Sequence, residues 1–232
     1  MRRFWDARAR EDPFFFVDDR QPYRAGDDSD FWSQGEEDMR RFLAQIGAEI
    51  PRGATVVEID CGVGRLTRVI AARAGRVVAL DVSAEMLEQA RRHHPSLANV
   101  EWRLGDGFSL RPQPDESADV CLSHVVFQHI PDPASTLGYV REMGRVLRPG
   151  GWAGFGVSND PSVHRRRRGL AERVHRVRGR LRLGPQGRGD AAWLGSSVEL
   201  DDLAAAAAEG GLALEQIVGA GTQFCLIRAR RK

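Results

Sequence analysis

Between Pro51 and Val157 the chain alternates short β-branched runs with amphipathic stretches, and this alternation limits the fold more than any other feature. Thr55 to Ile59, Arg76 to Leu80, Val100 to Leu104, Val120 to Ser123 and Gly151 to Val157 read as strands. Leu66, Val69 and Ile70 form a helical stripe between the first two, and Met86, Leu87 and Ala90 form one between the next two. Strands joined in turn by helices pair in parallel through crossovers, so the expected architecture is an α/β sheet covered on both faces. Pro133 to Leu147 reads as a further helix, stopped by the turn signal Pro149-Gly150-Gly151. Near the end, Ser196 and Glu199 suggest a capping box for an Ala-rich helix over Leu200 to Glu209, which Gly210-Gly211 terminates. Leu212 to Val218 and Thr222 to Arg228 then read as an antiparallel hairpin joined by Gly219-Ala220-Gly221, for about seven strands in all.

The 232 residues suffice for one such domain, and 42% hydrophobic with 28% charged residues excludes collagen-like, wholly disordered and disulfide-scaffold classes. No stretch approaches the roughly 18 to 20 apolar residues of a membrane span and the start lacks a signal-peptide core, so a cytoplasmic location is expected. Cys61, Cys121 and Cys225 are too widely spaced for a redox or zinc pair; they are read as reduced and buried, with no metal site.

Two segments flank or interrupt this pattern. Residues 1–50 form an aromatic and acidic arm whose large side chains must cover something, followed by a helix whose stripe is Met39, Phe42, Leu43 and Ile46. Residues 161–190 carry ten Arg against Glu172 and Asp190, a net +8 hidden within a whole-chain charge of +2. Leu170, Val174, Val177 and Leu181 give that stretch one narrow apolar stripe, and Gly184 to Gly189 reads as a loop. The remainder of the chain totals −6, of which residues 1–38, with eleven acids and six Arg, supply −5. The two oppositely charged pieces are expected to meet over a pocket as a lid, residues 1–50 being the arm and 51–232 the core with its Arg-rich insertion.

The chemistry is carried by VVEIDCGVGRLTRVI, Val56 to Ile70. A buried strand ends in acids, a loop follows with Gly62 and Gly64, and a helix opens at once, so backbone can approach a ligand closely. A dinucleotide fingerprint needs a third glycine, where Thr67 stands, and an acid at the loop's start would repel a pyrophosphate. Glu58 and Asp60 instead suit a ligand end that carries an ammonium group. Asp81, at the end of the second strand, can accept from both hydroxyls of a ribose. Asp106, just after the third strand, can accept from an adenine amino group, with Phe108 and Met86 as walls for the ring. All three features fall at the carboxyl edge of one sheet.

These motifs resemble those of the class I S-adenosylmethionine-dependent methyltransferases. EIDCGVG is similar to the family's glycine motif, ALDVS to its ribose motif and LGDG to its adenine motif, with ADVCLSHVVFQHIPDP after the fourth strand and EMGRVLRPGGWAGF leading into the fifth. Asp60 stands where the family has its first glycine, so its side chain, in place of close backbone, is expected at the cofactor's amino group. The resemblance, running from about Gly53 to Arg228, implies a Rossmann-like seven-stranded, mostly parallel sheet with a C-terminal antiparallel hairpin and helices on both faces. It implies S-adenosylmethionine as cofactor, S-adenosylhomocysteine as product, and a small-molecule acceptor methylated on a hydroxyl or amine. The cofactor-binding residues expected are Glu58, Asp60, Cys61, Gly62, Gly64, Asp81, Val82, Met86, Asp106, Gly107, Phe108 and Ser123.

The segment SHVVFQHIPDP places His129, and behind it His124, as candidate general bases with pKa values near neutrality. Tyr23, Phe31 and Trp32 are lid or substrate candidates. The Arg-rich segment has three readings: a solvated cationic helix, a cover that recruits an anionic substrate, or a patch for RNA. Nucleic acid is disfavoured because residues 161–190 contain no aromatic side chain among the Arg. An RNA methyltransferase or RNA-binding protein, and a noncatalytic cofactor-binding module, stay open as alternatives; oligomeric state does not follow from the sequence.

Overall fold

The structure, a computed structural model, describes residues 1–24, 29–164, 184–187 and 189–232. Seven strands form one sheet in the order β3-β2-β1-β4-β5-β7-β6. They are β1 (Thr55–Ile59), β2 (Arg76–Asp81), β3 (Val100–Leu104), β4 (Ala118–Ser123), β5 (Leu147–Val157), β6 (Leu212–Val218) and β7 (Cys225–Arg231). β1 pairs in parallel with both β2 and β4, whereas β7 runs antiparallel to both β5 and β6. The hairpin is therefore present, and its second strand, begun three residues later than the sequence suggests, inserts beside β5.

Alternation along each strand explains the two covered faces. Val57 and Ile59 point into a core shared with α6 (Pro133–Val146) and α8 (Leu200–Glu209), through Val140, Met143, Leu203 and Ala206. Val56 and its neighbours Val77 and Val120 point the other way, into a core with α3 (Ser29–Gln45), α4 (Thr67–Ala71) and α5 (Ala84–His93). The stripe Met39, Phe42, Leu43 and Ile46 supplies α3's contribution. Burial of each such side chain stabilises the fold by about 1.5–3 kcal/mol. The three cysteines are buried and unpaired.

Two local expectations are corrected. Pro149-Gly150-Gly151 does not end α6; the helix stops at Val146 and the chain enters β5 directly. Pairing with β4 jumps from Ala118–Leu147 to Val120–Trp152, so the turn signal is realised as a bulge within the strand, with Gly150 at φ 79°. The capping box is absent as well: Glu199 is the N-cap of α8 without a side-chain bond, and the Ser196 hydroxyl donates instead to the Ile130 carbonyl at 2.7 Å.

The arm is helical. α1 (Arg2–Glu11) and α2 (Pro13–Val17) are separated by Asp12, whose carboxylate accepts from Phe15 N–H at 3.1 Å and caps α2, with Pro13 at its first turn. Phe14 and Phe31 then pack with Val63 of the glycine loop and Met86 of α5 in a third cluster. The arm's aromatics are thus buried directly against the loop that carries the motif. Most of the Arg-rich stretch, including Arg165 to Arg168 and the stripe Leu170, Val174, Val177 and Leu181, lies outside the described residues. Its described flanks touch the arm: Gln186 N–H donates to the Glu11 carboxylate at 2.9 Å, and Gly187 faces the Phe4 ring.

Candidate active site

The sheet order places the carboxyl ends of β2, β1, β4 and β5 side by side, and a cleft of about 750 Å3 opens there. One half lies over β1 and β2. β1 delivers Glu58 to it, and the backbone then turns through Asp60 at φ 54°, Gly62 at φ 56° and Gly64 at φ 86°. Asp60 thus holds the left-handed conformation for which glycine is the ordinary residue. Asp81 braces this turn: its Oδ2 accepts from Gly62 N–H at 2.8 Å and its Oδ1 from Ser83 N–H at 2.7 Å.

Three carboxyl groups consequently line one buried end of the cleft, and among the described residues none is ion-paired. Burial pushes Glu58 up to about 8 and Asp81 up to about 6; burial and the Asp81 charge hold Asp60 well above the usual range. Glu58 Oε2 is buried with no hydrogen-bond partner among the described residues. Such a group is costly unless a ligand satisfies it. Burial also raises the Cys61 thiol, which fits a spacer role and not a nucleophile.

The other half lies beyond β4. Val125 follows His124 at φ 59°, an uncommon conformation for a β-branched residue and the kind of strain that gathers at functional sites. A single 3-10 turn, Phe127–His129, then presents His129. Its Nδ1 lies 3.0 Å from the carbonyl oxygen of Trp193, on the short helix α7 (Ala191–Leu194) that Asp190 caps. A carbonyl only accepts, so Nδ1 carries the hydrogen and Nε2 of the neutral ring is left as an acceptor, with Gln128 Nε2 3.4 Å away. Burial holds the His129 pKa below its ordinary value. His124 is pulled down to about 4, by burial and then by Arg65, and its Nδ1 has no partner among the described residues. Of the two imidazoles, only His129 has an orienting partner on Nδ1.

Gly195 makes this arrangement possible. It ends α7 at φ 63°, and a Cβ there would fall 1.7 Å from the Gln128 carbonyl oxygen. Trp5 of α1 meets the His129 ring edge-on at 6.1 Å, Trp193 lies 5.6 Å from it, and Phe16 of α2 meets Trp193 at 5.5 Å. Between the two halves, Arg20 and Arg65 pair with Asp18 and Asp38, at 2.5 to 2.7 Å for three of the four contacts and 3.5 Å for the fourth.

Of the residues singled out in the sequence, Glu58, Asp60, Cys61, Gly62, Asp81, Val82, Met86, His124 and His129 line the cleft. The others are placed elsewhere. A Cβ on Gly64 would strike His94 and Trp102, so that glycine serves close packing away from the cleft. Asp106 closes its own turn: it accepts from Phe108 N–H, Ser109 N–H and the Ser109 hydroxyl, at 2.9, 2.7 and 2.5 Å. Phe108 is 63% exposed, and Gly107 faces the Met1 side chain. Arg2 reaches over this edge to the carbonyls of Val82 and Gly105 at 3.1 and 2.8 Å. Ser123 is buried and does not line the cleft. Tyr23 donates to Glu11, Phe31 is fully buried in the arm's cluster, and Trp32 packs on Phe14, His93 and His94, so none of the three faces the cleft. Sequence reasoning passed over Trp5, Phe16, Arg20, Arg65, Trp193 and Gly195; the aromatic arm was the one signal pointing to any of them.

Residues 57–155 match the family described as "Methyltransferase domain". An uncharacterised 37.1 kDa protein in a transposon of Streptomyces fradiae is 42% identical over 103 residues, which cover 43% of this chain and 28% of that one. The 2-phytyl-1,4-naphtoquinone methyltransferase of Thermosynechococcus vestitus is 35% identical over 128 residues, 54% of this chain and 55% of that enzyme. This chain thus spans about half or less of the length of these relatives. A solved S-adenosylmethionine-dependent methyltransferase from Mesorhizobium loti shares the fold with a TM-score of 0.60 at 20% identity, over 83% of this chain and 95% of that one. Residues 57–155 are thus similar to a methyltransferase domain, and the sheet shares the fold of a solved S-adenosylmethionine-dependent methyltransferase. Among the described residues no helix is long and apolar enough to cross a membrane, and no cluster of His, Cys, Asp and Glu is arranged to hold a metal ion.

Proposed function

We propose that this chain transfers the methyl group of S-adenosylmethionine to a hydroxyl or amine of a small-molecule acceptor. The observation that carries this reading is the trio of buried Glu58 and Asp81 and half-buried Asp60 beside the glycine turn, none of them ion-paired among the described residues. The trio fits the cofactor: acids at Glu58 and Asp60 match its ammonium end, and Asp81 retains acceptor capacity for ribose hydroxyls while bracing the turn. The adenine end is assigned to the edge formed by Val82 and Met86, beside Asp106, whose Oδ2 among the described residues accepts only from the Ser109 hydroxyl and keeps acceptor capacity.

When bound, the cofactor supplies a methyl group on a sulfonium, a leaving group that needs no covalent help from protein. The residues therefore act by placement. The acids and the glycine turn hold one reactant, the half beyond β4 holds the other, and the arm, through Trp5, Phe16 and Val17, covers the cleft and excludes water. Nε2 of His129 takes a proton from an acceptor hydroxyl.

Calorimetry tests the reading. The parent binds S-adenosylhomocysteine, and Asp81→Asn weakens it by at least tenfold; equal affinity in the two proteins, or no binding by the parent, overturns the assignment.

A further inference from the structure

We propose that the half of the cleft beyond β4 takes a neutral, flat aromatic acceptor through a hydroxyl that donates to Nε2 of His129, with Trp5, Phe16 and Trp193 setting this preference. The inference rests on the methyl-transfer reading and deepens it by naming the acceptor class.

Charge among the described residues disfavours an anion. Among the described residues Asp18, Asp19 and Asp38 line the cleft together with Arg20 and Arg65, while Glu58, Asp60 and Asp81 lie at the cofactor's end. Both guanidiniums are already committed to Asp18 and Asp38. Among the described residues a carboxylate or phosphate entering this half finds no uncommitted guanidinium to offset its desolvation. A cationic amine fares no better at this end: Asp18 and Asp38 are held by arginines, Asp19 has an interaction of its own, and the trio lies at the cofactor's end.

The walls then select shape. Trp5 and Trp193 meet the His129 ring at centroid distances of 6.1 and 5.6 Å, Phe16 backs Trp193 at 5.5 Å, and Phe224, 58% exposed, stands on the rim. Two large rings at one imidazole, with a third packed behind, suit a planar aromatic guest, which gains from offset and edge contacts as well as from burial.

Hydrogen bonding selects the functional group. With Nδ1–H given to the Trp193 carbonyl, Nε2 of neutral His129 is an acceptor met among the described residues only by the long 3.4 Å contact from Gln128 Nε2, and a guest that replaces that contact must bring a donor. A phenol-type hydroxyl does so. In the transfer its proton passes to Nε2, forming imidazolium; the oxygen bonds the methyl carbon, and the pair of the broken carbon–sulfur bond stays on sulfur, which becomes a neutral thioether.

The test uses the full chain saturated with S-adenosylhomocysteine and two probes of one ring system, a naphthol and the matching naphthoate, with binding measured by calorimetry. The naphthol is expected to bind at least tenfold more tightly than the naphthoate. Trp5→Leu and His129→Leu should each weaken the naphthol at least threefold, while S-adenosylhomocysteine affinity, which reports that each variant is folded, stays within twofold of the parent. Naphthoate binding as tight or tighter, no binding of either probe at millimolar concentration, or naphthol binding indifferent to both substitutions overturns the proposal and leaves the methyl-transfer reading standing. Failure of the parent to bind S-adenosylhomocysteine overturns both.

Discussion

The Nδ1 of His129 lies 3.0 Å from the carbonyl oxygen of Trp193, 64 residues further along the chain. This one contact decides which nitrogen of the ring is free to take a proton, and it is held by the fit of Gly195 against Gln128. Backbone cannot yield as a flexible side chain would, so Gly195→Ala must displace α7 and release the imidazole. The expected result is a fall in methyl transfer of about 10-fold to 100-fold, within the range that general-base losses span. S-adenosylhomocysteine affinity should be unchanged, because the turn over β1 and β2 is untouched. Matched calorimetry and single-turnover rates check this; a loss of cofactor-product affinity equal to the loss of rate would show a merely structural role.

His129 also predicts the acidic limb of the activity profile. Burial lowers its pKa below the usual 6.5, with the Asp19 charge opposing and His164 assisting that shift. The neutral, proton-accepting ring is lost only as pH falls below the shifted value, so activity at pH 6.5 should remain more than half of its plateau. In His129→Gln the limb should vanish together with most of the rate. An unshifted limb centred above 6.5 would contradict the role.

The buried acids make a prediction about pH and stability. The unfolded chain releases the Glu58 proton near 4.5 and the folded protein near 8. Across that window the native state binds more protons than the unfolded state, so stability falls as pH rises, by up to about 1.4 kcal/mol per pH unit from this group. Below the window both states are protonated, and above it the loss is complete. Denaturant titrations of Glu58→Gln between roughly pH 6 and 8 should show a shallower slope than the parent. A cationic ligand end favours the ionised carboxyl, so cofactor binding should release protons and tighten as pH approaches 8. Calorimetry in buffers of unlike ionisation enthalpy reads the proton count, and proton uptake would contradict the assignment.

What was legible in the sequence follows from which interactions are local. β-branched runs and helical stripes are local, and every strand and both covered faces could be read from them; Val56 and Val57 point to opposite cores because strand periodicity demands it. The glycine turn and its acids were legible for the same reason. Asp106 was less legible, because a carboxylate just past a strand can close its own turn as well as face a ligand. Pro149-Gly150-Gly151 signalled a departure from regular backbone without saying whether a helix or a strand would absorb it. The Trp193 carbonyl has no sequence signature, since any residue type offers one. The arm's aromatic content announced burial, but only the packing of Phe14 and Phe31 on Val63 shows where.

The arm's attachment can be broken at one residue. Arg65, next to Gly64, has a side chain only 7% exposed and joins Asp18 after α2 to Asp38 of α3. Gly35 leaves room for it: a Cβ there would come within 2.8 Å of Arg65 Cγ and 3.1 Å of its carbonyl oxygen. Removing one partner from a buried ion network strands the others, a cost of roughly 3 to 5 kcal/mol when nothing else compensates. Here Arg20 still reaches both acids, so Arg65→Met should lose toward the lower end, about 3 kcal/mol. The second consequence is local. With the arm tied less firmly to the glycine loop, trypsin should cut within residues 1–24 faster in the variant than in the parent, and S-adenosylhomocysteine should slow that cleavage in both. Replacing Asp38 by Asn alongside Arg65→Met should recover part of the stability, because one fewer charge is left stranded. An unchanged denaturation midpoint together with an unchanged cleavage rate would mean that the arm is held by its aromatics alone.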